Sequence, residues 1–156
     1  MSAGNKDRQQ AREHLFNEGL QIRKEVTGAE HVQRSWDNVS DFSKPMQELA
    51  TEAGWGLIWG REGGLDRRTR SLLNLAMLTA LGKSNELGVH VRGAFNNGCT
   101  EKEIQETLLQ ASIYAGLPTG LEAFRVAQKV VDEERVKPSK EKNPGNAELK
   151  EMGIAS

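Results

Sequence analysis

Apolar side chains recur at helical spacing along most of this chain, and nowhere do they alternate with polar ones as a half-buried strand requires. From about Gln9 to Val26, Ala11, Leu15, Leu20, Ile22 and Val26 mark one face of an amphipathic helix, with Gly28 as its stop. Val32, Trp36, Val39 and Phe42 predict a second, short helix running toward Pro45. Ser43 is placed to cap a third, whose stripe is Met46, Leu49, Ala50 and Ala53. Asp66 opens a fourth helix, and its continuation from Leu72 to Leu81 is apolar almost all the way round, which suits the centre of a bundle or a subunit contact. Ser84 and Gly98 bound a fifth. Thr100 and Glu103 form a capping box that opens a sixth, with Ile104, Leu108, Leu109, Ala111 and Ile113 inside and Gly116 and Pro118 at its end. Thr119 and Glu122 repeat the box pattern before a last stripe of Leu121, Phe124, Ala127 and Val131. The pattern predicts an all-α protein of about six to seven helices.

The interval from Gly54 to Gly64 interrupts this periodicity. Five glycines in eleven residues, with Trp55 and Trp59 among them, predict a shaped loop in which the indoles serve equally as a lid or as a packing plug. From about Arg135 to Ser156 the chain is charged, holds Pro138 and Pro144 and has no stripe, so a helical domain over 1–134 and a loosely attached tail over 135–156 are expected.

A length of 156 residues is one domain's worth. With 21 basic and 22 acidic residues well mixed, no field recruits nucleic acid or an acidic membrane surface, and neither partner is expected. The one cysteine, Cys99, has no intrachain partner, no Cys/His cluster has zinc spacing, and no apolar run approaches the ~20 residues that span a bilayer. These features suit a reducing compartment such as the cytoplasm.

Candidate chemistry gathers on the fifth helix. At about 100° per residue, Leu87, Val91, Ala94 and Phe95 form an apolar arc, while Glu86, His90, Gly93 and Asn97 follow one another along its edge. An acid, an imidazole and an amide thus line one wall, readable as a solvated rim pair or as the side of a pocket. Arg92 lies about 200° round from His90, so it serves a different wall or a neighbouring subunit. Arg67, Arg68 and Arg70 crowd the first turn of the fourth helix, where the dipole disfavours cations; they are either solvated or committed to an anion or an acidic neighbour.

These residues resemble the carboxymuconolactone decarboxylase family. The likeness is carried by Trp55-Gly56 and Ile58-Trp59, Gly64-Leu65 to Arg67, Thr69-Arg70-Ser71-Leu72, Glu86-Leu87 with His90 and Arg92, Asn96-Asn97-Gly98, and Tyr114 to Pro118. With the helix ending near Arg23 and the His31-Val32 to Arg34-Ser35 segment, it extends over roughly residues 15 to 133. It implies an AhpD-like helical bundle, obligately assembled as a homo-oligomer (trimer or hexamer) and needing no metal or organic cofactor. The thiol-peroxidase branch of that superfamily carries a Cys-x-x-Cys pair. Here Glu86 stands where its second cysteine would be, so Cys99 reads as a small apolar filler.

The resemblance implies decarboxylation of 4-carboxymuconolactone or a related carboxylated lactone in aromatic catabolism. Loss of carbon dioxide leaves electrons that spread into the ring carbonyl. Cations must hold the dianion, donors must meet the growing charge, and an acid must return a proton to carbon. In this reading Arg70, Arg67 and Arg92 bind carboxylates and His90 supplies the proton with Glu86 beside it. Trp55, Trp59, Asn97 and Tyr114 complete the substrate site. Asp66 and Arg68 depart from the proline and histidine expected of the family, which leaves open a lactone isomerase, hydrolase or decarboxylase of another pathway, or a non-catalytic assembly protein of the same fold.

Overall fold

A computed structural model describes residues 3–137. The part of the expected tail from 138 to 156 lies outside the described residues. The chain divides after Arg67 into two compact units. Every regular element among the described residues is helical, as the hydrophobic pattern predicts.

In the first unit, α1 (Ala3–Thr27) ends at Gly28, whose φ of +93° suits only glycine and whose N–H returns to the Lys24 carbonyl at 3.0 Å. α2 (Ala29–Asp37) is shorter than its stripe suggests. Both the backbone and side-chain amides of Asn38 turn back to the Arg34 carbonyl, at 3.3 and 2.7 Å, and Ser40 and Ser43 hold a turn beyond it. Val39 and Phe42 therefore fall outside the helix, with Phe42 97% exposed. α3 (Lys44–Leu49) follows Ser43, but Met46 and Leu49 face outward rather than into a core.

The expected glycine-rich loop is instead largely helical. α3 passes without a break into a π-helical segment, Ala50–Trp59, closed where the Gly60 N–H reaches the carbonyls of Trp55 at 3.1 Å and Gly56 at 3.2 Å. The reason lies in packing against α1. A Cβ on Gly19 would stand 2.1 Å from the Thr51 carbonyl oxygen, and one on Gly56 would stand 2.2 Å from that of Leu15. These glycines let two helical backbones touch; they do not make a turn. Arg23, buried between these elements, donates to Gln47 at 3.0 Å and to Thr51 at 3.2 Å, and burial lowers its pKa.

The second unit contains the continuation of α4 (Arg67–Ala80), α5 (Ser84–Asn96), α6 (Glu101–Ala115) and α7 (Leu117–Val136). Leu75, Leu87, Val91, Ile104, Leu108 and Ala127 form its core, joined by Cys99 as the expected apolar filler. Each large aliphatic side chain buried there contributes about 1.5–3 kcal/mol. Only part of the all-round apolar face of α4 is covered: Leu75 is buried while Leu73, Met77 and Leu81 are exposed.

Helix ends follow local chemistry with three exceptions, the first being Ser43, which precedes α3 but makes no side-chain cap bond because its hydroxyl is turned back to Ser40. The Thr100–Glu103 capping box is present, and Gly98 (φ +81°) ends α5 with Cys99 N–H bonded to the Ala94 carbonyl at 2.9 Å. Ser84, however, is the first helical residue and not the cap; its hydroxyl donates to Glu122 at 3.4 Å. The second box does not form either. Pro118 sets the first turn of α7, so Thr119 lies inside the helix, and Gly120 gives room to Ser112, whose Oγ would sit 2.0 Å from a Cβ there. Leu109, Ile113 and Leu121, expected inside, are exposed, and α7 runs on through Arg135 to Val136, past the point where the tail was expected to begin. No helix among the described residues is long and apolar enough to cross a membrane.

Candidate active site

Two polar contacts seam α4 to α5. The Asn97 side-chain amide donates to Ser71 Oγ at 2.9 Å, and Asn74 Nδ2 meets His90 Nδ1 at 3.4 Å. The donor and acceptor roles in this contact follow the tautomer of the ring, and the amide fixes the ring's orientation either way. His90 is half-buried, Ser71 is 1% exposed, and Glu86 stands one turn before His90 on the exposed side of the helix. The wall expected of α5 is therefore real as a polar edge beside the core. The group that meets the imidazole nitrogen is Asn74, from a different helix.

Asn74 carried no signal in the sequence, because a lone asparagine on an apolar helix becomes informative only once its tertiary neighbour is known. Arg70 lies one turn before Asn74 on the same face of α4 and is half-buried. Arg92, on the far side of α5 from His90 as its helical angle requires, is held by α7: Glu133 at 2.6 Å and Glu134 at 3.6 Å. Arg68 pairs with Glu103, so the crowding of cations at the start of α4 is answered in part by acidic neighbours. Tyr114, near the end of α6, is 82% exposed.

The remaining candidates belong to the first unit. Trp55 and Trp59 stand one helical turn apart with ring centroids at 5.0 Å and planes inclined by 31°. Trp59 and Arg67 line one open cavity of about 560 Å³ together with Glu18, Glu25, Arg61 and Asp66. Arg67 donates to Glu25 at 2.7 Å and, with Gln21, holds that carboxyl below its ordinary value. Arg61 in this cavity escaped the sequence reading because exposed arginines in glycine-rich stretches are common.

Comparison with known proteins gives this arrangement a context. A family model described as the carboxymuconolactone decarboxylase family matches residues 44–129. A nitrosuccinic acid decarboxylase of Metarhizium robertsii is 47% identical over 119 residues, covering 76% of this chain and 82% of that protein. A 4-carboxymuconolactone decarboxylase of Acinetobacter baylyi is 42% identical over 128 residues, covering 82% of this chain and 95% of that protein.

Proposed function

Because the chain belongs to the carboxymuconolactone decarboxylase family, we propose that it is a carboxy-lyase that decarboxylates 4-carboxymuconolactone, or a related carboxylated lactone, to the enol-lactone and carbon dioxide without a cofactor. The observation that carries this reading is the 42% identity over nearly the whole length of a relative named for that reaction.

The chemistry assigns a task to each side chain. As the C–C bond to the carboxylate breaks, its electron pair passes into the ring and onto the lactone carbonyl oxygen as a dienolate. His90, charged by a proton taken up from water, then delivers its Nε2 proton to carbon and returns to the neutral ring. Asn74, at Nδ1, holds the orientation of the ring. Arg70, one turn from Asn74, grips a substrate carboxylate through two parallel hydrogen bonds. Arg67, paired with Glu25, and Arg92, paired with Glu133, are the further candidates for a substrate carboxylate. Asn97 and Tyr114 in the second unit, and Trp55 and Trp59 in the first, are the other candidates for substrate contact, and Glu86 tunes the basicity of His90 from the solvent side. We further infer a helical domain over 1–134 with a C-terminal extension, a homo-oligomer (trimer or hexamer) and a cytoplasmic setting, the last supported by the lone buried cysteine.

A second reading is favoured by the 47% identity to the nitrosuccinic acid enzyme. Its named substrate also bears two carboxylates beside a group that takes up an electron pair, there a nitro group that becomes a nitronate. The test is to incubate the pure protein with each compound and follow carbon dioxide. Release of carbon dioxide from the lactone supports the first reading; release from nitrosuccinate alone supports the second, and release from neither sinks both.

A further inference from the structure

A cavity of about 310 Å³ within the second unit lies among the turn that ends α4 and the first turns of α5 and α7. The volume is at the small end of ligand pockets. Leu78, Leu87 and Ala123 give it apolar walls, and Lys83, Ser84 and Thr119 stand around it. The turn is fixed in place: Gly82, at φ +64°, donates to the Thr79 carbonyl at 3.0 Å, and Lys83 N–H donates to that of Leu78 at 2.9 Å. With the Leu81 N–H on the Met77 carbonyl at 2.9 Å, three carbonyls of this helix end are occupied.

Three further features favour an anion. α5 and α7 both begin here, and neither has a side-chain cap on its first-turn N–H groups, so two helix N-termini border one space; the acid in the first turn of α5, Glu86, is exposed and lies outside the lining. Lys83 is exposed and meets no carboxylate among the described residues. Thr79, in the cavity wall, is 1% exposed, yet its hydroxyl has no hydrogen-bond partner. A helical threonine has two side-chain rotamers open to it, and one satisfies the hydroxyl on a carbonyl a turn back; Thr79 uses no such bond. Glu122 is the one acid in the lining, and its charge is answered by Arg125 at 3.3 Å and by the Ser84 hydroxyl at 3.4 Å.

We propose that this cavity binds a small carboxylate with an apolar body, its head among Lys83 and the first turns of α5 and α7, its body against Leu78, Leu87 and Ala123, and the Thr79 hydroxyl turned to it. None of Arg70, Asn74, Glu86 and His90 lines this cavity, and the proposal stands whichever substrate the protein decarboxylates.

Calorimetric titration of the full chain with benzoate, acetate and inorganic phosphate tests this, with Arg70→Ala as background so that benzoate reports on this cavity alone. Benzoate is expected to bind saturably and at least tenfold more tightly than acetate or phosphate. Lys83→Met, at an exposed position that folding tolerates, is expected to weaken it at least fivefold. Thr79→Val is expected to weaken it as well while raising Tm, since the unpaired hydroxyl is gone. Loss of benzoate binding in Arg70→Ala alone, indifference to Lys83→Met, or phosphate binding as tightly as benzoate would each overturn the proposal.

Discussion

His90 is half-buried and meets the Asn74 amide at Nδ1, a polar setting beside the core that suits a proton donor. His90→Gln is expected to lower kcat by about 10²–10⁴-fold with little change in KM, whereas Arg70→Ala is expected to raise KM strongly because it removes a ground-state clamp. Steady-state kinetics on the true substrate distinguish the two, and parent-like turnover in His90→Gln would return the imidazole to a structural role. A second residue-scale test concerns Glu25. Its hydrogen bond from Arg67 lowers its pKa below the ordinary 4.5, so the pair stabilises the fold above that pH and the contribution is lost as pH falls through the depressed value. Both side chains are 43% exposed, so solvent screening keeps the effect small. Arg67→Gln should flatten the fall of stability below about pH 4.5 seen in acid titrations at low salt, and added salt should shrink the difference between parent and variant. The spacing of Glu86, His90 and Asn97 was legible in the sequence because a helix repeats its faces at a fixed angle. Asn74 and Arg61 were not, since nothing local distinguishes a residue whose partner comes from elsewhere in the chain.

At the scale of elements, most helices announce themselves by apolar spacing, and their ends by Gly28, Gly98, Gly116 and the Thr100 box. The misreadings share a cause. Gly54 to Gly60 looks like a loop because glycine has two uses, turning the backbone and letting another backbone approach, and the sequence carries the same letter for both. The second box at Thr119 fails for a similar reason: Pro118 already fixes φ in the first turn, so the pattern of the box appears one turn too late to cap it. The two uses of glycine can be separated by experiment. Gly56→Ala forces a methyl to within 2.2 Å of a backbone oxygen of α1, so backbones must move apart, at a cost of about 1–3 kcal/mol. Gly54→Ala meets nothing within 4 Å and is expected to be neutral or to stabilise by about 0.4–1 kcal/mol through the unfolded chain. Urea unfolding of the two variants beside the parent should show opposite or clearly unequal shifts of midpoint. Equal destabilisation would mean that the π-helical segment needs glycine for its own backbone and not for its contact with α1.

At the scale of the whole molecule, what the chain leaves uncovered matters as much as what it buries. Leu73 and Met77 on one face of α4, and Leu81 in the turn just after it, recur at four-residue intervals and are 46%, 53% and 68% exposed, while Leu75 on the other face is fully buried. α6 leaves Leu109 and Ile113 outward in the same manner. Scattered exposed leucines are ordinary on any protein, but a continuous stripe on a helix whose opposite face is already packed is the pattern of a surface that a second copy covers. The apolar continuation from Leu72 to Leu81, readable in the sequence as the centre of a bundle or a subunit contact, is core on one side and uncovered on the other. Light scattering is expected to give a multiple of the 17.2 kDa chain mass. The double variant Leu73→Glu, Met77→Glu sets two charges on the stripe without touching Leu75 or His90. Burying those charges unpaired costs far more than the contact returns, so the variant should run as a folded monomer with helical circular dichroism unchanged. A parent protein that runs at about 17 kDa would remove the need for a partner on this face. An oligomer indifferent to both glutamates would move the interface to the outward side of α6, where Ile113→Glu is the corresponding test.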